Sequence, residues 1–174
     1  MASLRGDQAA GLRRLFGQEH LRVVAFASGS EGVGKTVAVA NLAAAIARQG
    51  KEVLVIDENI RNNVASMFGA ATKYDLYHVL NRDRRLAEVV VHVEPGVRVL
   101  SAARAVTKLG TLERSQREAL METVGSMERP ADVILVDASL DHPLGFSPFG
   151  LAAQEAVIVA SASGSAITEA YALI

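Results

Sequence analysis

Cysteine and tryptophan are both absent from the 174 residues. The first absence excludes disulfides and thiolate metal sites, and fits a reducing cytoplasm. The four histidines, at positions 20, 78, 92 and 142, lack the spacing of a metal cluster. No run reaches the roughly 18 apolar residues of a membrane span. The first residues, MASLRGDQAAGLRRLFG, are charged where a signal peptide would be apolar. Excess charge is missing as well: the balance is −1, with no basic stripe, so nothing points to specific nucleic-acid binding. There is no internal repeat and no low-complexity segment.

What remains suits one domain: half of the residues are hydrophobic, enough for a sizeable core. The chain is organised around Leu21 to Gln49. LRVVAFAS is an apolar, Val-rich strand signal, and VAVANLAAAIARQ an Ala-rich helix that Gly50 can cap. Between them, GSEGVGKT fills the phosphate-loop pattern G-x-x-x-x-G-K-[ST] with Gly29, Gly34, Lys35 and Thr36. A helix start presents unpaired N–H groups and a partial positive charge. Glycines let the preceding loop wrap its own N–H groups around a phosphate. The loop Gly29, Ser30, Glu31, Gly32, Val33, Gly34 would form the cradle. Lys35 would meet the β- and γ-phosphates, and the Thr36 hydroxyl would ligate Mg²⁺.

Further strands are expected at Lys51–Asp57, Val97–Ala102, Asp132–Asp137 and Ala156–Ala160. Helical segments are expected within 60–73 and at Tyr74–Asn81, Leu86–Val91, Thr111–Met127 and from Ala166 to Ile174, although VVVHV also reads as strand. Pro95-Gly96 marks a turn, and ASLDHPLGFSPFG a loop. Strands alternate with helices, and most strands are continuous apolar runs. That predicts an α/β fold whose mostly parallel sheet is covered on both faces, with polar residues gathered past the strands' carboxyl ends.

A phosphate loop needs a second acid for its metal. Asp137 closes the apolar strand DVILVD, as a Walker B acid does, and Asp57 ends the strand after the loop's helix; both are candidate Mg²⁺ residues beside Thr36. Ser28 and Ser30 lack the His and Asp partners of a nucleophile. Ahead of the first strand, Asp7 to Phe16 reads as a short amphipathic helix with Leu12, Leu15 and Phe16 on one side. It either packs on its own domain or serves as a detachable peptide for a partner.

FASGSEGVGKTVAVANLAAAIARQGKEVLVID is similar to the MinD/ParA family, whose loop usually reads K-G-G-x-G-K-[ST] and whose next strand ends in D-x-D. ITEAYALI resembles a stretch of the family's flagellar branch, called FlhG or FleN. Asp7-Gln8-Ala9-Ala10-Gly11-Leu12-Arg13 fits that branch's DQAxxLR motif. The resemblance implies a three-layer P-loop NTPase fold over 21–174, with C-terminal strands missing, and a partner-binding segment over 1–20. It implies an ATP- and Mg²⁺-dependent switch in which ATP binds between two subunits and hydrolysis resets the monomer. Such a switch restrains flagellar number or placement through the FlhF GTPase and through flagellar regulatory and basal-body proteins. Asp7, Gln8, Ala9, Leu12 and Arg13 would contact FlhF. The location would be cytoplasmic, with recruitment to the cell pole or inner membrane and peripheral membrane attachment in a full-length form.

Three departures from the family's pattern bear on catalysis. The lysine that bridges the dimer falls at Ser30, and the next glycine at Glu31, an acid that repels phosphates. The second acid of D-x-D, which orients the attacking water, falls at Asn59, which cannot accept a proton as a carboxylate does. Lys35, Asp57 and Asn59 are thus the catalytic positions of a site expected to bind ATP and to turn it over weakly or only with a partner. Two alternatives stand beside this reading: a non-hydrolysing, MinD-like interaction protein, and a ParA-type partitioning ATPase.

Overall fold

A computed structural model of the chain describes residues 21–60, 63–109, 131–139, 147, 149–150 and 153–174. The N-terminal segment, with Asp7, Gln8, Ala9, Leu12 and Arg13, and the helix expected over Thr111–Met127 lie outside the described residues.

The described elements, in chain order, begin with β1 (Arg22–Ala27), α1 (Lys35–Ala47) and β2 (Val53–Asp57). Three short helices follow: α2 (Val64–Met67), α3 (Leu76–Leu80) and α4 (Leu86–Val89). The chain then forms β3 (Val91–Glu94), β4 (Val97–Ser101), α5 (Ala103–Leu109), β5 (Val133–Asp137), β6 (Glu155–Ile158) and α6 (Gly164–Tyr171). The strands form one sheet in the order β3-β4-β2-β5-β1-β6. Every pairing is parallel except β3 with β4.

Side-chain alternation builds the three layers. Val53 and Val55 of β2 share one core with Val39, Ala40 and Ala43 of α1, with Val97 and Val99, and with Leu135. Their neighbours Leu54 and Ile56 point to a second core with Ile134, Val136, Leu76, Val79 and Val106. A central strand covered on both sides has no polar face, which is why VLVID and VILVD are almost unbroken apolar runs.

The structure divides VVVHV between the end of α4 and the start of β3, which returns antiparallel along β4 through Pro95-Gly96. Gly96 takes a φ of 79°, a left-handed backbone that glycine adopts without strain.

The structure adds one element and corrects one expectation. Helix α5 begins at Ala103, in a stretch between Ala102 and Thr111 to which the sequence assigns no element. The Arg104 N–H in its first turn is held from another element, 3.1 Å from the Asp75 carboxylate. A local sequence window cannot show such a distant anchor. The strand expected to be buried over Ala156–Ala160 runs instead over Glu155–Ile158 at the sheet's edge, where Glu155, Ala156 and Val157 are exposed. An apolar run alone does not distinguish an edge from a centre.

Candidate nucleotide site at the carboxyl end of the sheet

The loop from β1 into α1 is open. Gly32 and Gly34 have φ values of 74° and 91°, and a Cβ on either would meet nothing within 4 Å. Both belong to the left-handed region, so they set the turn that brings the backbone into the first turn of α1. Val33 is half-buried between them, and Glu31 is exposed.

Gly29 is required for a different reason. A Cβ there would lie 2.5 Å from the backbone carbonyl carbon and oxygen of Glu169, because α6 crosses directly over this residue. One residue on, the Ser30 hydroxyl donates to the Glu169 carboxylate. Helix α6 therefore rests on the loop at Gly29 and Ser30.

Lys35 opens α1 and reaches across to the ends of the central strands. Its ammonium pairs with Asp137 and also donates to the Ala138 carbonyl at 2.8 Å and to Asn59 Oδ1 at 3.5 Å. Asp137 is fully buried, and its second carboxylate oxygen has no hydrogen-bond partner. Thr36 follows Lys35, half-buried in the first turn of α1.

Asp57 sits opposite Asp137 in the β2–β5 register. Its oxygens are already used: one accepts the Asn59 backbone N–H at 3.0 Å and the Asn59 amide at 3.2 Å, the other the Val64 N–H at 2.5 Å. It thus closes the turn that leads from β2 into α2. Burial pushes its carboxyl up to about 6, against the pull of those N–H donors and with a further push from Asp137. Asn59 brackets the two strands, its amide also donating to the Asp137 carbonyl at 3.1 Å.

Glu58, between them, belongs to none of the motifs in the sequence. It is 2% exposed, accepts the Ser139 N–H at 3.0 Å, and takes the Ser147 hydroxyl. Burial pushes it up to about 7; the Ser147 and Ser139 bonds and Lys35 oppose that shift. It ties β2 to the segment after β5. The signal available in the sequence was an acid next to Asp57, one position off the D-x-D pattern and so unassigned.

These residues fit a divalent cation held with a nucleotide. Among the described residues no group of three or more His, Cys, Asp or Glu could hold a metal by itself. Mg²⁺ does not need one, since it is commonly bound by one or two carboxylates, a hydroxyl, waters and the phosphates. The unpartnered oxygen of Asp137, beside the Lys35 ammonium, is the matching ligand atom.

A family described as an AAA domain matches residues 21–172. Antiactivator FleN of Pseudomonas aeruginosa is 30% identical over 164 residues, 94% of this chain and 59% of FleN. Flagellum site-determining protein YlxH of Helicobacter pylori is 32% identical over 88% of this chain and 52% of its own length. Chromosome-partitioning ATPase Soj of Thermus thermophilus is 34% identical over 80% of this chain and 54% of its own. The MinD cell division protein of Aquifex aeolicus superposes with a TM-score of 0.66 at 28% identity, covering 88% of this chain and 61% of that one. MinD of Pyrococcus horikoshii, solved with Mg-ADP, shares the fold at a TM-score of 0.62 and 24% identity, over 86% of this chain and 61% of that one. The chain belongs to the MinD/ParA family of P-loop ATPases. It spans little more than half the length of these curated relatives. No helix among the described residues is long and apolar enough to cross a membrane.

Proposed function

We propose that this chain is an ATP-binding, MinD-like switch that regulates flagellar number or placement. The observation that carries the nucleotide reading is the pairing of Lys35 with Asp137, whose second oxygen is left unpartnered behind the open glycine loop. The flagellar assignment is supported by the similarity to FleN and YlxH over most of the chain.

The residues divide the work as follows. Gly32, Val33 and Gly34 present backbone N–H groups to the phosphates, with Gly29, Ser30 and Glu31 forming the outer rim. Lys35 exchanges Asp137 for phosphate oxygens. Thr36 and Asp137 would hold Mg²⁺, with Asp57 a further candidate beside Asp137. The cation, when bound, neutralises charge on the phosphates. Asn59 stands where the family has its second acid, with its amide spent on Asp57 and Asp137. It orients water but takes no proton, so turnover is slow or awaits a partner.

That same bracket favours a second reading, a non-hydrolysing interaction protein that binds ATP and docks partners. Partners on either reading are the FlhF-type GTPase, met by Asp7, Gln8, Ala9, Leu12 and Arg13, and flagellar regulatory or basal-body proteins. The setting is the cytoplasm, with recruitment to the pole or inner membrane.

Titration calorimetry with ATP and Mg²⁺ tests the pocket. The native chain should bind, and Lys35→Ala should weaken binding roughly ten- to a hundredfold, the equivalent of a charged hydrogen bond of ~1.5–3 kcal/mol. Unchanged binding in the variant removes the assignment. Phosphate release separates the two readings. A peptide of residues 1–20 should stimulate GTP hydrolysis by FlhF, and its Gln8→Ala, Arg13→Ala version should not.

A further inference from the structure

We propose that the surface around Tyr74 and Tyr77 is a docking site for an acidic segment of a partner protein. The proposal is independent of the nucleotide reading. Tyr74 carries two cations, with Lys73 Nζ 5.2 Å and the Arg84 guanidinium 4.6 Å from the ring centre. Arg84 also donates to the Tyr74 hydroxyl at 3.1 Å. Tyr77 has Lys108 Nζ 4.6 Å from its ring and 3.3 Å from its hydroxyl. His78 joins the two phenols edge-on, its ring centre 5.4 Å from Tyr74 and 6.1 Å from Tyr77. The result is one strip in which cations and aromatic rings alternate.

Charge sets the kind of partner. Residues 73–108 contain seven Lys and Arg against four Asp and Glu; with Arg98 buried beside Glu52 and Asp75 turned inward, six cations outweigh Asp83, Glu88 and Glu94 on this side of a chain whose net charge is −1. The acid closest in sequence to both phenols, Asp75, is 5% exposed and turned inward. It accepts the Tyr77 N–H at 2.8 Å, the Ser101 hydroxyl at 3.1 Å and the Arg104 N–H at 3.1 Å. The strip is therefore anchored from below by a carboxylate that does not face solvent.

Residue type narrows the choice further. Tyr and Arg dominate the energetics of protein interfaces. Held by cation–π contacts and hydrogen bonds, these side chains have little freedom left to lose on binding. None of the large exposed apolar side chains among the described residues lies between 73 and 108, so there is no wedge for a lipid surface. Both phenol rings already carry cations, which makes them poor platforms for stacked bases. Carboxylates, which Arg reads through paired N–H donors, are the better match.

The surface also has a route to the sheet's carboxyl end. Ser101, bonded to Asp75, is the register partner of Asp57, and the adjacent Ala102 N–H donates to the Asp57 carbonyl at 2.7 Å. A load on α3 is thus one buried acid away from the end of β2.

The test is fluorescence anisotropy of the whole chain with a labelled peptide of alternating Glu and Ser at low salt. Saturable binding is expected, weakened roughly tenfold or more by Arg84→Glu with Lys108→Glu. Arg48→Glu with Lys51→Glu makes the same charge change at exposed positions elsewhere and should leave binding unaltered. Thermal melts confirm folding, and Arg84→Gln with Lys108→Gln replaces the reversal pair if that pair unfolds. The proposal is overturned by absence of saturable binding, or by equal loss in the control pair. Tighter binding to a single-stranded oligonucleotide or to phosphatidylglycerol vesicles overturns it too.

Discussion

The glycine loop and the triplet Asp57-Glu58-Asn59 meet at Lys35 and are built on opposite principles. In the loop, Gly32 and Gly34 have space where their Cβ atoms would be, and Glu31 is exposed. In the triplet, Asp57 and Glu58 are buried and every carboxylate oxygen is taken by a neighbour. Open donors are available to a ligand, whereas satisfied acceptors belong to the fold. Changes in the loop should therefore alter binding, and changes in or against the triplet should alter stability. Lys35 links the two, since it begins in the loop, donates to Asn59 of the triplet and pairs with Asp137 beside it.

Lys35→Ala gives the largest expected effect because it breaks that link. The sequence alone predicts a lost phosphate contact and an intact fold. In the structure, the substitution also strips the counter-charge from a carboxylate that is fully buried. Removing one partner of a buried pair typically costs about 3–5 kcal/mol. The urea midpoint of the nucleotide-free chain should fall accordingly, and adding Asp137→Asn should restore much of the loss. A midpoint unchanged in the single variant would place Lys35 wholly in the loop.

The triplet should also announce itself through pH. Glu58 is raised from 4.5 to about 7 and Asp57 from 3.8 to about 6, both chiefly by burial. A raised acid holds its proton more tightly when folded, so it favours the folded state fully below its unfolded value. That contribution is lost as pH rises through the folded value. Without nucleotide or metal, the melting temperature should therefore drop between about pH 5 and about pH 8. Glu58→Gln, which cannot ionise, should flatten the upper part of that curve. A melting temperature that rises over the same interval would contradict the burial of these acids.

Much of this was legible in the residues. GSEGVGKT announced the loop, and VLVID and VILVD announced central strands, because both signals are local. The place of Asp137 at a strand end could be read from the apolar run before it. Glu58 could not, because its partners Ser139 and Ser147 lie far along the chain. Gly29 matched the motif, but its close approach to Glu169 depends on a helix about 140 residues later. The start of α5 was missed for the same reason: its anchor is Asp75, on another element. Local pattern reveals loops and strand ends, and distant contacts decide which of their residues are committed to the fold.

Ser30 carries the smallest expected effect, and it separates loop from triplet most finely. If, as the loop's resemblance to the family implies, its bridging lysine belongs at this position, Ser30→Lys by itself should restore ATP-driven dimerisation. The structure places Glu169 of the same chain against Ser30. A lysine introduced there would meet that carboxylate before it met a second subunit. Exposed ion pairs contribute about 0.2–1 kcal/mol, so the restraint should reduce dimerisation only a few-fold. Light scattering with a non-hydrolysable ATP analogue should detect little dimer in the native chain, some in Ser30→Lys, and more in Ser30→Lys with Glu169→Gln. Equal dimerisation in the two variants would mean that Glu169 does not hold the lysine. A tight ATP-dependent dimer of the native chain would mean that the bridge is made without position 30.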